Sequence, residues 1–332
     1  MEADKILLSH GGGGEEMNSL INERIFKIFD NEILRQSNDS AIFNLNAKVA
    51  FSTDSFVVTP IFFNGGDIGK IAACGTINDL AMVGAQAKYL SCSLIIEEGF
   101  GIAQLERILT SLNDVASKSG VKVVCGDTKV VPKGKCDQIF INTSGVGEIM
   151  SQEVGLSGLK SGAKILLSGD IGRHGAVILA NREELSLEGN LISDCKSLME
   201  VVKAIFQEGI KPLCMRDATR GGLSAVLNEW SKFSGLDILV REEDIAVSNE
   251  VVGVCELFGF EPYELANEGT FVLAVEPKDE LKALEILRKF DKNANVIGEI
   301  LNSKNSRVII QNAYGSKRFL EAPKGELLPR IC

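Results

Sequence analysis

No two of the eight cysteines are spaced as C-x-x-C, and only two histidines accompany them. That argues against a zinc site, which needs several soft or borderline ligands at short spacing, and against a dithiol redox centre. No apolar run approaches the ~18 residues of a membrane-spanning helix. There is no basic run with interleaved aromatics, and a net charge of −10 argues against a broad nucleic-acid surface. The opening MEADKILLSHGGGG lacks the basic start and long apolar stretch of a secretion signal. These absences predict a cytoplasmic protein with neither membrane nor nucleic acid as a partner. In a reducing compartment most of its thiols are small buried hydrophobes. Cys74, Cys92 and Cys125, inside apolar runs, fit that description.

What is present is globular: 45% hydrophobic and 24% charged residues, with a length of 332 that suits two domains. Residues 47–63 carry β-branched and aromatic runs around Thr53-Asp54-Ser55, which predicts a strand breaking at Asp54. After Gly65-Gly66, Asp67 stands as an N-cap to a helix of small residues within the stretch 65–85. Residues 87–96 read as a buried strand, 101–120 as an amphipathic helix, and 121–131 as a strand interrupted by Gly126-Asp127-Thr128. The polar stretch 151–162 marks a domain boundary. Beyond it, strand, tight turn and helix alternate, with helices at CKSLMEVVKAIFQEG, GGLSAVLNEWSKFSG and DELKALEILRKF, and strands at FVLAVEP, VIGEI and RVIIQ. The alternation predicts an α+β or α/β fold in three parts: 1–155, 156–315, and a tail 316–332 punctuated by Pro323, Gly325 and Pro329.

The informative residues are acids in apolar company. Asp39, Asp54, Asp79, Asp127 and Asp217 each interrupt an apolar stretch or abut glycines, where an unpaired carboxylate is costly. A divalent cation makes several such acids tolerable together, and an oxygen-only set points to magnesium reached partly through phosphates. In one continuous helix Asp67 and Asp79 stand roughly 18 Å apart, so they do not share an ion. Asp67 then either caps the helix or organises the adjoining turn. Gly11, Gly12, Gly13 and Gly14 fit either a loop over phosphates or a flexible end, since they lack the Lys-Ser/Thr of a Walker loop. Lys129, two residues after Asp127, suits a γ-phosphate or plain exposure. Arg173 and His174 occupy a strand-to-helix turn, a usual place for anion contacts or for packing. Arg216 and Arg220 flank Asp217 and fit phosphate binding or an ion pair.

The last residue, Cys332, has no such explanation. A prenylation box places its cysteine four residues from the end, so lipidation is excluded. An incidental thiol or a dimer contact remains open on spacing alone.

Taken in order, TDSFVVTPIFFNGGDIG, GTINDLAMVGA, GDTKVV, RHG, MRDATRGGL, ANEG and PRIC resemble the hydrogenase maturation HypE family over nearly the whole chain. Pieces such as NDLA are shared with the wider superfamily of aminoimidazole ribonucleotide synthetase, selenophosphate synthetase and thiamine monophosphate kinase. PRIC selects the HypE branch, while Asn64 stands where that pattern has proline. The resemblance implies an ATP-binding N-terminal domain whose sheet dimerises into a barrel, a mixed α+β C-terminal domain and a flexible tail.

It also implies a reaction. A carbamoyltransferase, HypF, loads a carbamoyl group onto Cys332, and the chain uses ATP and Mg2+ to dehydrate that thiocarboxamide to a thiocyanate. The cyano group passes to iron held by a HypC–HypD complex, for [NiFe]-hydrogenase. By resemblance, Asp39, Asp54, Asp79 and Asp217 hold magnesium, joined by Asp127. Asp67, Thr128, Lys129, Arg173, His174 and the glycine run face the nucleotide, and Glu268 in ANEG is the base. Tethering makes the chemistry intramolecular, with effective concentrations near millimolar for a short flexible arm. The rival is a free-substrate synthetase or kinase of the same superfamily with Cys332 incidental.

Overall fold

A computed structural model describes the chain except for residues 1–4, 12–14, 37–39, 42, 153, 186–188, 325–327 and 329. Asp39 and Gly12 to Gly14 therefore lie outside the described residues, and Gly11 ends a short 3-10 turn, Leu8–Gly11.

The first half holds β1 (Val49–Phe56), β2 (Phe62–Phe63), β3 (Gly66–Asp67), β4 (Ala85–Glu97), β5 (Lys122–Val131) and β6 (Ile139–Ile149). Among the described residues, four of these form a sheet in the order β1-β6-β4-β5, antiparallel except for the β4–β5 pair. Helices Ile68–Met82 and Ile102–Lys118 cover one face. The second presents one apolar stripe, Leu105, Ile108, Leu109, Leu112 and Ala116. The first is buried on nearly every side, which explains its small residues: a Cβ at Gly69 would stand 2.1 Å from the Ile108 carbonyl oxygen. Most of the other face of the sheet is left uncovered by the described residues, with Phe51 69%, Val49 47% and Ile95 44% exposed, although Phe43 stacks on Tyr89 there.

β1 does not break at Asp54. Every residue from Val49 to Phe56 is in register with β6, and the Asp54 carboxylate accepts the Ser55 N–H from an edge strand where its backbone stays paired. β5 likewise runs through Gly126-Asp127-Thr128 against β4, and the irregularity falls between Leu90 and Ser91 instead. β6 has no strong apolar signal, because its inward positions include Thr143, Gly145 and Gly147.

The second half adds β7 (Lys164–Leu167), β8 (Cys214–Asp217), β9 (Ile238–Arg241), β10 (Phe271–Val275), β11 (Asn295–Ile300), β12 (Val308–Gln311) and β13 (Lys317–Phe319). Their order is β13-β12-β9-β11-β7-β10-β8. Helices Arg173–Arg182, Met199–Gln207, Gly222–Ser234, Asn249–Phe258 and Glu280–Phe290 pack around this sheet, with Trp230 fully buried. Among the described residues no helix is long and apolar enough to cross a membrane.

Asn78 ties the two halves together. Its side chain donates to the Lys196 carbonyl at 3.1 Å and accepts the Leu198 N–H at 2.7 Å.

The segment expected to be a flexible tail is held at both ends. Lys317–Phe319 pair with β12, Leu320 is buried, and Asn228 and Ser224 donate to the carbonyls of Leu320 and Glu321. At the far end, residues 330–332 return to the first half: Val57 N–H donates to the Cys332 carbonyl at 2.9 Å and Thr59 N–H to that of Arg330 at 3.2 Å. Satisfied backbone groups and the burial of Leu320 and Ile331 explain why these two ends are held.

Candidate active site

Three of the aspartates converge between the two halves. Asp54 leaves the helix-covered face of β1, Asp79 the last turn of Ile68–Met82, and Asp217 the end of β8. Ser52 donates to Asp79 at 2.7 Å. Asp79 and Asp217 share a cavity of about 400 Å³ with Ser52, Arg216 and Trp230.

Burial raises the Asp217 carboxyl to about 7, helped by the charges of Asp79 and Asp54 and opposed by Arg216. Asp54 is raised by burial first, opposed by the Ser55 N–H, with Asp79 adding and Arg220 opposing. Among the described residues no three His, Cys, Asp or Glu side chains stand close enough to hold a metal by themselves. An oxygen-only set in which burial, and then neighbouring charge, raises Asp54 and Asp217 fits magnesium, which keeps waters and completes its shell with phosphates.

Glu268 lies just before β10, and β10 pairs with β8 so that Phe271 faces Asp217. Its side chain is 3% exposed and Oε1 has no hydrogen-bond partner among the described residues. Burial holds its carboxyl well above the ordinary range, reinforced by the Cys195 thiol and by Asp217, Asp194 and Asp54. Its backbone is clamped by Asp194, whose oxygens accept the N–H groups of Glu268 at 3.1 Å and Gly269 at 2.9 Å. Glycine is required next to the acid, because a Cβ at Gly269 would stand 1.9 Å from the Asp194 carbonyl oxygen. Asn267 faces away, accepting the Gly172 N–H and donating to Ala218 and Leu265.

The end of the chain enters this place. Ile331 is buried, and Cys332 has its thiol pushed up first by burial, then by Glu268, with Arg220 opposing and Asp54 and Asp217 adding. Arg182 spans the carbonyls of Thr59 and Arg330. Arg330, at φ +54°, donates to the Val57 carbonyl at 2.9 Å and ion-pairs with Asp137. His174 is fully buried, with Nδ1 2.8 Å from Ser193 Oγ and Nε2 2.8 Å from the Ile331 carbonyl oxygen. It therefore holds the tail, and neither ring nitrogen is free for a phosphate.

The remaining candidates lie elsewhere. Asp67 is the N-cap of Ile68–Met82, accepting the Lys70 N–H at 3.0 Å. Arg173 is turned onto Asp170 at 2.9 Å. Asp127 pairs with Lys129 at 2.8 Å and accepts the Thr128 N–H, on an exposed stretch of β5. Asp54 faces Thr143, Thr143 faces Cys92, and Cys92 faces Gly126. Asp127 is thus three strands, about 14 Å, from the Asp54 row within one chain. Asp194, Ser193, Arg182 and Asp137 have no motif in the sequence, and only a lone acid between Ser193 and Cys195 hints at Asp194.

Two large sheets with acids at the seam between them define the class, and the family models agree. Residues 37–149 match the AIR synthase related protein N-terminal domain and 160–311 its C-terminal domain. The carbamoyl dehydratase HypE of Escherichia coli K12 is 42% identical, covering 99% of this chain and 100% of its own, and that of Rhodobacter capsulatus is 39% identical over 99% and 98%. A crystal structure of hydrogenase maturation protein HypE in complex with ATP superposes with a TM-score of 0.95 at 39% identity, covering 98% of this chain and 99% of that one. The HypE partner of a HypE–HypF complex gives 0.80 at 42%, covering 92% and 100%. Thiamine monophosphate kinase from Aquifex aeolicus, at 19% identity and 0.63, shares the fold alone. This chain belongs to the carbamoyl dehydratase HypE family.

Proposed function

We propose that this chain dehydrates a carbamoyl group carried as a thiocarboxamide on Cys332 to a thiocyanate, at the expense of ATP. The observation that carries the reading is the seating of the chain end beside an acid with a free oxygen. Ile331 is buried on His174, and the Cys332 thiol lies in the field of Glu268, whose Oε1 is unpartnered. The relatives named carbamoyl dehydratase and the ATP-bound HypE structure support it.

An amide oxygen is a poor leaving group, and ATP supplies the phosphoryl group that makes it a good one, with magnesium neutralising charge. Asp54, Asp79 and Asp217 would hold the magnesium, the three acids that converge where the tail ends. The atoms balance as follows. The thiocarboxamide oxygen takes the γ-phosphoryl group as ADP departs, one N–H proton is lost, and the C–O bond then breaks to release inorganic phosphate. The second N–H proton leaves as the C≡N bond forms. Glu268 is the base placed to accept the first of these protons, since its unpaired oxygen in a water-poor pocket has high proton affinity, and the departing phosphate takes the second. Val57 and His174 hold the tail backbone, so that the carbamoyl nitrogen is presented to Glu268 rather than to water.

A HypF-type carbamoyltransferase would load the thiol, and a HypC–HypD complex would accept the cyano group, both in the cytoplasm. The HypE–HypF complex of a relative supports the first partner. Loading requires the docked end to swing out, with the stretch beyond Leu320 as the arm. Pairing of two copies through the bare face of the first sheet, into a barrel, accounts for the exposure of Phe51, Val49 and Ile95.

The test is mass spectrometry of the C-terminal peptide after incubation with the carbamoyltransferase, carbamoyl phosphate, ATP and magnesium. The expected result is a carbamoyl adduct on Cys332 that loses one water only with ATP, absent in Cys332→Ala. An adduct unchanged by ATP, or none, overturns the reading in favour of a free-substrate synthetase.

A further inference from the structure

The segment Ser193-Asp194-Cys195 touches both partners of the proposed reaction from one short stretch of irregular chain. On one side Asp194 accepts the N–H groups of Glu268 and Gly269, fixing the backbone that aims the base. On the other, Ser193 Oγ meets His174 Nδ1 while His174 Nε2 meets the Ile331 carbonyl, one residue before the thiol.

The hydrogen-bond roles in this relay follow from chemistry. The Ile331 carbonyl only accepts, so Nε2 carries the hydrogen and Nδ1 of the neutral ring accepts. The Ser193 hydroxyl therefore donates to Nδ1, and its lone pairs are free for the Cys195 N–H at 3.1 Å. No donor or acceptor in the chain is duplicated. The segment itself is anchored from the other half, where Ser193 N–H donates to the Asn64 carbonyl at 3.0 Å and Lys196 and Leu198 bond Asn78.

We propose that Ser193-Asp194-Cys195 is a ruler that registers the docked tail against Glu268, with Asp194 and His174 as its positioning residues. Neither touches the reacting atoms. Asp194 sets the base and His174 sets the carrier, and both are referred to the same three residues. Catalysis then depends on the tail occupying the docked register rather than merely being near. This inference rests on the proposed dehydration, and the wild-type arm of the test separates the two.

The test uses full-length protein, carbamoylated on Cys332 and mixed with ATP and magnesium, following water loss in a single turnover. Asp194→Asn keeps the volume but presents an N–H₂ to one of the two backbone N–H groups. It should lower the first-order rate about 10²-fold, the scale of a misplacement near 1 Å. The ATP concentration for half-maximal rate should stay unchanged. Alkylation of Cys332, read by peptide mapping of the unmodified protein, should match wild type, because the tail still docks. His174→Leu should slow water loss and speed that alkylation, and His174→Gln, which can still donate and accept, should recover most of both. The double variant Asp194→Asn/His174→Leu should lose less than the product of the single losses.

An Asp194→Asn protein within about threefold of wild type, or single effects that multiply in the double variant, overturns the ruler. If Asp194→Asn fails to fold, the His174→Leu and His174→Gln pair decides: equal rates in the two overturn it. A wild-type protein that loses no water overturns the proposed function instead.

Discussion

Nε2 of His174 lies 2.8 Å from the carbonyl oxygen of Ile331, and the imidazole making that contact has no exposed surface. A side chain from the second half of the chain thus grips the residue before the terminal thiol. The contact makes docking of the tail depend on one buried imidazole.

Burial holds His174 below its ordinary value, against the Ile331 bond and the Asp194 charge that raise it. A histidine whose folded value lies under the unfolded ~6.5 leaves the unfolded chain with more protons bound below that pH. The associated stability is complete above ~6.5 and declines as pH falls towards the folded value. Melting temperature should therefore drop more steeply from about pH 7 to pH 5 in wild type than in His174→Gln. Parallel curves would remove His174 as the source.

Glu268 runs the other way. Burial, with Cys195, Asp217, Asp194 and Asp54, raises its folded value above the unfolded one. Its contribution is complete below about 4.5 and is lost as pH rises through the folded value. Glu268→Gln should thus be more stable than wild type at neutral and alkaline pH while dehydrating the loaded tail about 10²–10⁴-fold more slowly. Thermal melts and single-turnover mass spectrometry check the two halves. A variant with near wild-type turnover would remove Glu268 as the base.

The ion pair between Arg330 and Asp137 is partly exposed, at 35% and 45%. Such pairs contribute at most about 1 kcal/mol, so Asp137→Ala should speed alkylation of Cys332 by up to about fivefold. Salt should reduce the difference between variant and wild type. An unchanged rate would mean that the backbone contacts at Val57, Thr59 and His174 hold the tail alone.

Phe51 is the most exposed of the apolar side chains on the bare sheet face, at 69%. Phe51→Asp should shift the chain from dimer to monomer in light scattering at micromolar concentration, with little change in far-ultraviolet circular dichroism. A variant that remains dimeric would place the self-association elsewhere, and a monomeric wild type would remove the pairing.

Local patterns in the sequence determined much of this protein. Asp67 as an N-cap, the stripe from Leu105 to Ala116, and the two-part alternation depend on neighbours within a few residues and were legible. So were Asp54, Asp79 and Asp217 as acids in apolar company and Cys332 as an unexplained terminal thiol, while Glu268 entered only through the ANEG motif of the resemblance. The breaks expected at Asp54 and Gly126 were not there, since pairing with β6 and β4 outweighs local turn preference.

Tertiary structure alone decided which of the candidates meet. Asp54, Asp79 and Asp217 come from a strand, a helix and the opposite sheet, while Asp127, equally prominent in sequence, is left three strands away with Lys129. His174 became a clamp for Ile331 because the tail returns across the seam, 157 residues on. Asp194 carries no motif because what it binds are the backbone N–H groups of Glu268 and Gly269, whose sequence is irrelevant to the bond and whose position only folding supplies.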